Sequence, residues 1–167
     1  MSYQIRKATK RDIVGLAGIE RAAETLFPEG RVPSTGGTYP SGGFARAMQN
    51  GLLVVAEVDQ AVVGFAVCEE VERALHLYLL AVHPEHGNQG IGKSLVVRVI
   101  EESQHRGLAG VTLTTFEDLK WNGPFYRKLG FQVLATHETS AVLASTLSRE
   151  RLAGMELRVA MLYRNTA

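Results

Sequence analysis

The chain has 167 residues, a hydrophobic share of 46%, a charged share of 21% and a formal net charge of +1 at pH 7. That length suits a single domain with a full core, and the balance is that of a globular protein rather than a disordered or fibrous one. The near-neutral charge builds no basic face of the kind that displaces counterions from nucleic acid, and no run approaches the eighteen or so apolar residues of a membrane span.

The first predicted element is a short strand, "YQIRKA", at 3–8. Thr9 then stands where a helix cap belongs, before Ile13, Leu16, Ala17 and Ile19 at helical spacing, and Leu26 closes that segment. Residues 27–43 turn rich in Gly, Pro and Ser, a surface loop, and a brief helix follows from Ser41 to about Asn50. "LLVVAEV" and "AVVGFAVC" are β-branched runs joined by Asp59 and Gln60, which predicts a hairpin across a turn pair that is not the most favourable one. Cys68, the sole cysteine, reads as a buried structural thiol and excludes an internal disulfide. "ALHLYLLAV" at 74–82 is another strand. After the glycines of 87–92 comes the best defined helix, with Ile91, Leu95, Val96, Val99 and Ile100 on one face, Ser94, Arg98, Glu101 and Glu102 elsewhere, and an end near Gly107. "GVTLTTF" is a strand, "NGPFYRKLG" a short helix closed by Gly130, and "FQVLAT" a strand. "SAVLASTLSRERLAG" reads as a helix and "LRVAMLY" as the last strand. This order predicts an α/β (α+β) fold with a mixed sheet and helices packed against it. The N-terminus "MSYQIRKATKRD" lacks the apolar stretch of a secretory leader, so a cytoplasmic protein is expected, with neither membrane nor nucleic acid as partner.

The eight residues "GNQGIGKS", Gly87 to Ser94, match the phosphate-loop pattern G-x-x-x-x-G-K-[ST] at every specified position. In a nucleoside triphosphatase the first glycine follows directly on a buried strand, and an acidic residue after a second strand holds Mg²⁺. Here His83, Pro84, Glu85 and His86 intervene, and the nearest acidic residues, Glu117 and Asp118, follow a poorly matching strand. A glycine turn opening a helix offers unpaired N–H groups and a positive dipole to any pyrophosphate, that of coenzyme A included.

The segments "LAVHPEHGNQGIGKSLV" and "WNGPFYRKLGF" together resemble the GNAT superfamily of acyl-CoA-dependent N-acyltransferases: the first its V-x-P-x-x-[QR]-x-x-G-x-[GA] segment, the second its C-terminal tyrosine motif. The element order agrees from about residue 3 to residue 135, and the last thirty residues resemble the general family less. The resemblance implies a single-domain GNAT-like fold with a mostly antiparallel twisted sheet, and acetyl-CoA as co-substrate with no metal. It implies that Gly87, Asn88, Gln89, Gly90, Ile91 and Gly92 cradle the pyrophosphate, with Lys93 and Ser94 in the first helical turn. It further implies that Leu80, Ala81 and Val82 line the pantetheine arm, and that an N–H at or near Leu80 polarises the thioester carbonyl. Gly87 stands where the family has Gln or Arg, so a side-chain contact is absent there, and Gln89 is the residue able to compensate.

Tyr126 is the candidate acid for the departing thiolate, since a phenol with an ordinary pKa near 10 holds its proton at neutral pH. Asn122, one helical turn earlier, either hydrogen-bonds the pantetheine or caps its own helix. Phe125 and Phe131 read as core, and Phe125 also counts among the residues bordering the cofactor. No carboxylate stands at Tyr78 or Leu79, where many family members carry a glutamate base. His76, on the same strand face as Tyr78, is one candidate for that role and a chain of waters the other. His83 and His86 read as solvated. Glu24, Glu29, Arg31 and Tyr39, in the segment that covers the acceptor site in the family, are candidate acceptor contacts. The acceptor is an amine of a small molecule, protein or peptide, and a homodimer is compatible with all of this. Three functions are carried forward: an N-acetyltransferase, a coenzyme A-binding module without efficient transfer, and a nucleoside triphosphatase.

Overall fold

In the computed structural model, residues 2–33, 39–40 and 42–167 are described. The elements follow the predicted order: β1 (Gln4–Lys7), α1 (Ile13–Glu24), α2 (Gly43–Gln49), β2 (Leu53–Val58), β3 (Ala61–Val71), β4 (Ala74–Val82), α3 (Ile91–His105), β5 (Gly110–Phe116), α4 (Gly123–Lys128), β6 (Gln132–Val133), α5 (Ala141–Leu152) and β7 (Arg158–Arg164). They form a mixed α/β architecture around one seven-stranded sheet in the order β1-β2-β3-β4-β5-β7-β6. Every pairing is antiparallel except β4 with β5.

Both hairpin turns take the mirror-image form that suits strand twist, although neither contains glycine: Asp59 and Gln60 have φ of 47° and 67°, Glu72 and Arg73 of 51° and 66°. Asp12, rather than Thr9, precedes α1, and its carboxylate turns back to accept from the Thr9 amide (2.7 Å) and from the Arg6 guanidinium (2.8 Å). The Arg6 guanidinium holds this carboxyl well below its ordinary range. The strand predicted at 131–136 contracts to two residues, because Phe131 turns into the core and the chain then meets a 3-10 turn at 136–138. Ser41, predicted to start the second helix, lies outside the described residues, and α2 begins at Gly43. Glu102 is buried, not solvent-facing, because Arg106 (2.8 Å) and Lys7 (3.7 Å) neutralise it.

Two apolar layers sandwich the sheet. On one face α3 and α4 bring Ile91, Leu95, Val99 and Tyr126 against Leu75, Leu77, Leu113 and Met161. On the other, α1 and α2 bring Leu16, Ile19 and Ala47 against Leu53, Val55, Phe65 and Ala81. Cys68 belongs to the first layer, a free thiol that burial keeps protonated.

The feature that positions a site is the join between β4 and β5. These strands pair only at Ala74–Gly110, Leu75–Val111 and His76–Thr112. Beyond His76 the edge of β4 has no strand partner on that side among the described residues, and the sheet is split. β4 also carries a bulge: Val67 pairs with Leu79 and Cys68 with Leu77, leaving Tyr78 as the extra residue. The bulge shifts the alternation by one. Leu75 and Leu77 therefore share a face with Leu80 and Val82, while Leu79 and Ala81 pack on the opposite face.

Candidate active site

A cleft of 430 Å³ occupies the split. Its floor is β4 from Leu77 to Ala81 and β5 from Leu113 to Phe116. Asn122 and Tyr126 reach it from α4, on the α3 face of the sheet. The other side is walled by α1 with Glu20, Ala23 and Glu24 and by α5 with Thr146, Arg149 and Glu150. The cleft thus takes its lining from both faces of the sheet, with Asn122 and Tyr126 on the α3 face and α1 and α5 on the other; Val82, the glycine turn at 87–92, the first turn of α3 and Phe125 lie beyond that lining, at and past the end of β4.

The turn from β4 into α3 is built from backbone. A 3-10 turn at Pro84–His86 follows β4, Asn88 and Gly90 take positive φ (57° and 83°), and α3 starts at Ile91. The turn closes with Gly87 N–H donating to the Pro84 carbonyl (3.0 Å), and helical bonding begins with Ser94 N–H donating to Gly90 (3.0 Å). Between them the N–H groups of Asn88 to Lys93 donate to no backbone acceptor among the described residues. Together with the helix dipole they form an anion cradle. A Cβ at Gly87 would sit 3.2 Å from the Pro84 carbonyl oxygen, a close contact at a position whose extended backbone (φ −66°) is otherwise open to any residue. Side chains of this loop contribute less than its backbone. Ile91 is buried in the core, Asn88, Gln89 and Lys93 are exposed, and the Ser94 hydroxyl is engaged with the Tyr3 hydroxyl at 2.8 Å. His83 and His86 are half-buried rather than solvated: the His83 ring accepts from the Glu85 amide at 3.3 Å, and the His86 Nδ1 is buried without a partner.

Two polar groups at the centre lack hydrogen-bond partners among the described residues. The Tyr126 ring is buried beside Phe125 and Phe131, yet its hydroxyl forms no hydrogen bond among the described residues, and burial pushes the phenol above its ordinary pKa of 10. Asn122 stands before the first residue of α4 but makes no side-chain cap, and its buried Oδ1 has no hydrogen-bond partner among the described residues. Leaving a buried acceptor unpaired costs about 1–3 kcal/mol, which marks this oxygen as a group that waits for a donor.

His76 lies below the cleft rather than in it. Its ring is 5% exposed, bonds to the Thr112 hydroxyl at 2.9 Å across the last parallel pair and lies edge-on to Tyr78. Burial lowers its pKa to about 4. Of the other expected acceptor contacts, Glu24 and Tyr39 line the cleft. Arg31 instead pairs with Asp118 (2.7 Å) and stacks over Phe116, and Glu29 is exposed. The sequence reading missed the whole α5 wall. Glu150 there accepts from Thr114 (2.7 Å) and pairs with Arg158 (3.0 Å), whose guanidinium lies over Phe116 at 4.5 Å. The i,i+3 placement of Thr146 and Arg149 was the available signal. Among the described residues no three His, Cys, Asp or Glu side chains converge as a metal site requires, and no helix is long and apolar enough to cross a membrane.

The family model of the acetyltransferase (GNAT) domain matches residues 49–133, which run from the end of α2 through the glycine turn and α4 to β6. The chain belongs to the GNAT acetyltransferases. The GNAT architecture recurs in solved structures across almost the whole chain. The ribosomal-protein-S18-alanine N-acetyltransferase of Escherichia coli superposes with a TM-score of 0.72 at 20% identity, covering 99% of this chain and 96% of that one. PaiA N-acetyltransferase of Thermoplasma acidophilum, in complex with coenzyme A, gives 0.67 at 18% identity, covering 99% and 100%. N-acetylglutamate synthase of Neisseria gonorrhoeae, complexed with coenzyme A and N-acetyl-glutamate, gives 0.74 at 17% identity; it covers all of this chain, which spans only 36% of that protein. At such identities the likeness is one of fold.

Proposed function

We propose that this GNAT protein moves an acetyl group from acetyl-CoA directly to a primary amine within the split of its sheet. The observation that carries the reading is the meeting, in one cleft, of an unpartnered buried phenol and an unsatisfied buried amide oxygen with an open strand edge that leads from an anion cradle. N–H groups of Asn88 to Lys93 would hold the pyrophosphate. The edge of β4 from Leu77 to Val82 would take the pantetheine like an added strand, and Asn122 Oδ1 would accept one of its amide protons. What acetyl-CoA supplies is an activated thioester.

The protein's own groups supply the rest. A backbone N–H at or near Leu80, on the face re-aimed by the Tyr78 bulge, donates to the carbonyl oxygen where negative charge develops. The amine nitrogen forms a bond to the acetyl carbon, the carbon–sulfur bond breaks, the amine gives up a proton and the sulfur needs one. Tyr126 Oη provides it, because its raised pKa keeps the phenol protonated. His76 suits the opposite task poorly: with a pKa of about 4 it has little affinity for an amine proton, and it is absent from the cleft lining. Water in the cleft takes that proton instead and returns one to the Tyr126 phenolate, so the net transfer is one proton from the amine to the sulfur.

A thermal-shift comparison tests the reading. Acetyl-CoA at a hundred times its dissociation constant adds about 2.7 kcal/mol, or roughly 5–10 °C for a domain of this size. Stabilisation by ATP with Mg²⁺ and none by acetyl-CoA would sink it. Release of free thiol from acetyl-CoA against a panel of amines then separates transfer from mere coenzyme binding.

A further inference from the structure

The acceptor side of the cleft carries five charged side chains: Glu20 and Glu24 on α1, Arg149 and Glu150 on α5, and Arg158 on β7. Two of them neutralise one another. Glu150 and Arg158 are joined by Nε–Oε2 at 3.0 Å and Nη2–Oε1 at 3.1 Å, the Thr114 hydroxyl donates to the same carboxylate, and the second face of the guanidinium covers Phe116. That pair is internally satisfied and offers a ligand little. Glu24 differs. It is half-buried at the end of α1, it makes no hydrogen bond or ion pair among the described residues, and Glu20, one helical turn away, adds a second carboxylate to the same wall. Across the split, Arg149 donates only to the Thr146 hydroxyl, at 3.3 Å, and has no carboxylate partner among the described residues.

The two walls stand over different halves of the sheet, α1 over β3 and β4 and α5 over β5 and β7, and both lie on the face opposite α3. The cleft is therefore dipolar, with an uncompensated anion on one wall and an uncompensated cation on the other, above an apolar floor of Leu79 and Ala81. We infer that the acceptor is a small zwitterion of the amino-acid class, its ammonium drawn to Glu24 beside Glu20 and its carboxylate to Arg149. Size agrees, since 430 Å³ shared with the end of a pantetheine arm leaves room for a small molecule. A plain alkylamine would leave Arg149 unpaired, and a dicationic amine would bring a like charge to it. The inference rests on the proposed transferase reading and adds the chemistry of the acceptor to it.

The test uses the full chain with saturating acetyl-CoA and follows thiol release with free α- and ω-amino acids, the matching amino-acid amides, alkylamines, diamines and short peptides. Free amino acids are expected to exceed their amides about three- to fivefold in kcat/KM, carried by KM, as for the loss of one ion pair to an exposed guanidinium. Arg149→Gln is expected to erase that acid-over-amide ratio, and Glu24→Gln to raise KM for acid and amide alike. Amides, alkylamines, diamines or peptides used as well as the amino acids, or a ratio untouched by Arg149→Gln, would overturn the inference and leave the transferase reading intact. Calorimetry of an amino acid added to the coenzyme A-loaded protein separates the converse case: binding that depends on Arg149, without turnover of any amine, would keep the inference and break the transferase reading.

Discussion

The two halves of the proposed site are built by different means. Beside α3 the surface offered to the coenzyme is backbone: N–H groups freed by a turn with positive φ at Asn88 and Gly90, and a strand edge freed because β5 diverges after Thr112. Between α1 and α5 the surface is side chains from three distant stretches of chain, tied down one by one through Arg158–Glu150, Thr114–Glu150 and Tyr39–Glu69. A backbone site tolerates exchange of its exposed side chains and fails when its dihedrals change. A side-chain site behaves the other way round.

The boundary between the two halves should show the largest effect. Tyr126→Phe keeps the buried ring but removes the hydroxyl that meets the cleft, and kcat is expected to fall by about 10²–10⁴-fold while KM for acetyl-CoA changes little. Stopped-flow or steady-state thiol release reads it, and an unchanged kcat would remove Tyr126 from the acid role. Because burial raises this phenol above 10, the wild-type rate should climb with pH as the amine loses its proton, without an alkaline limb from Tyr126 below that value.

The next effect falls on the acceptor side and concerns stability. His76 has an ordinary pKa of 6.5 when unfolded and about 4 when buried against Thr112. The unfolded chain binds the extra proton first. The stabilisation held above pH 6.5 is therefore lost as pH falls through the window down to about 4, by up to about 3 kcal/mol. His76→Gln, which retains a partner for Thr112, should flatten that part of the denaturation midpoint against pH. A slope of equal size in the variant would mean that another group titrates there.

The same contrast explains what could be read from the residues alone. The strands, the hairpins, α3 and the glycine turn before it announce themselves through local patterns: β-branched runs, an apolar stripe, glycines before a helix. The split does not, because it depends on β7, the last strand, pairing with β5 along its whole length and holding it away from β4. The bulge at Tyr78 is hidden for another reason. "ALHLYLLAV" is apolar on both faces, so a shift of alternation leaves no trace in the pattern. The α5 wall was illegible because this helix buries only Leu143 and so lacks a clear apolar stripe. Asn122 was legible as one of two roles, and the unsatisfied Oδ1 with no cap bond favours a ligand over the helix end.

Two smaller predictions address the backbone half. Gly90 holds φ at 83° where the turn enters α3, and Gly90→Val forces a β-branched residue into a left-handed conformation at a cost of about 1–2 kcal/mol. Relaxation of the turn would re-aim the N–H groups of Ile91 and Gly92, so the melting temperature should drop by a few degrees and KM for acetyl-CoA should rise about tenfold. The kcat at saturation should hold, since Tyr126 and Asn122 sit on α4.

Lys93 gives the smallest and most pointed outcome. In a triphosphate loop the lysine of G-x-x-x-x-G-K-[ST] reaches the terminal phosphates, and its loss is severe. Here Lys93 is exposed on the first turn of α3 and forms no hydrogen bond or ion pair among the described residues, while the groups that converge on the anion position are amides. An exposed cation near a phosphate contributes at most about 1 kcal/mol, so Lys93→Ala should raise KM for acetyl-CoA by no more than about fivefold, and less at high salt. A far larger loss, with kcat unaffected, would mean that the cradle is a side-chain site after all and that the division between the two halves is drawn in the wrong place.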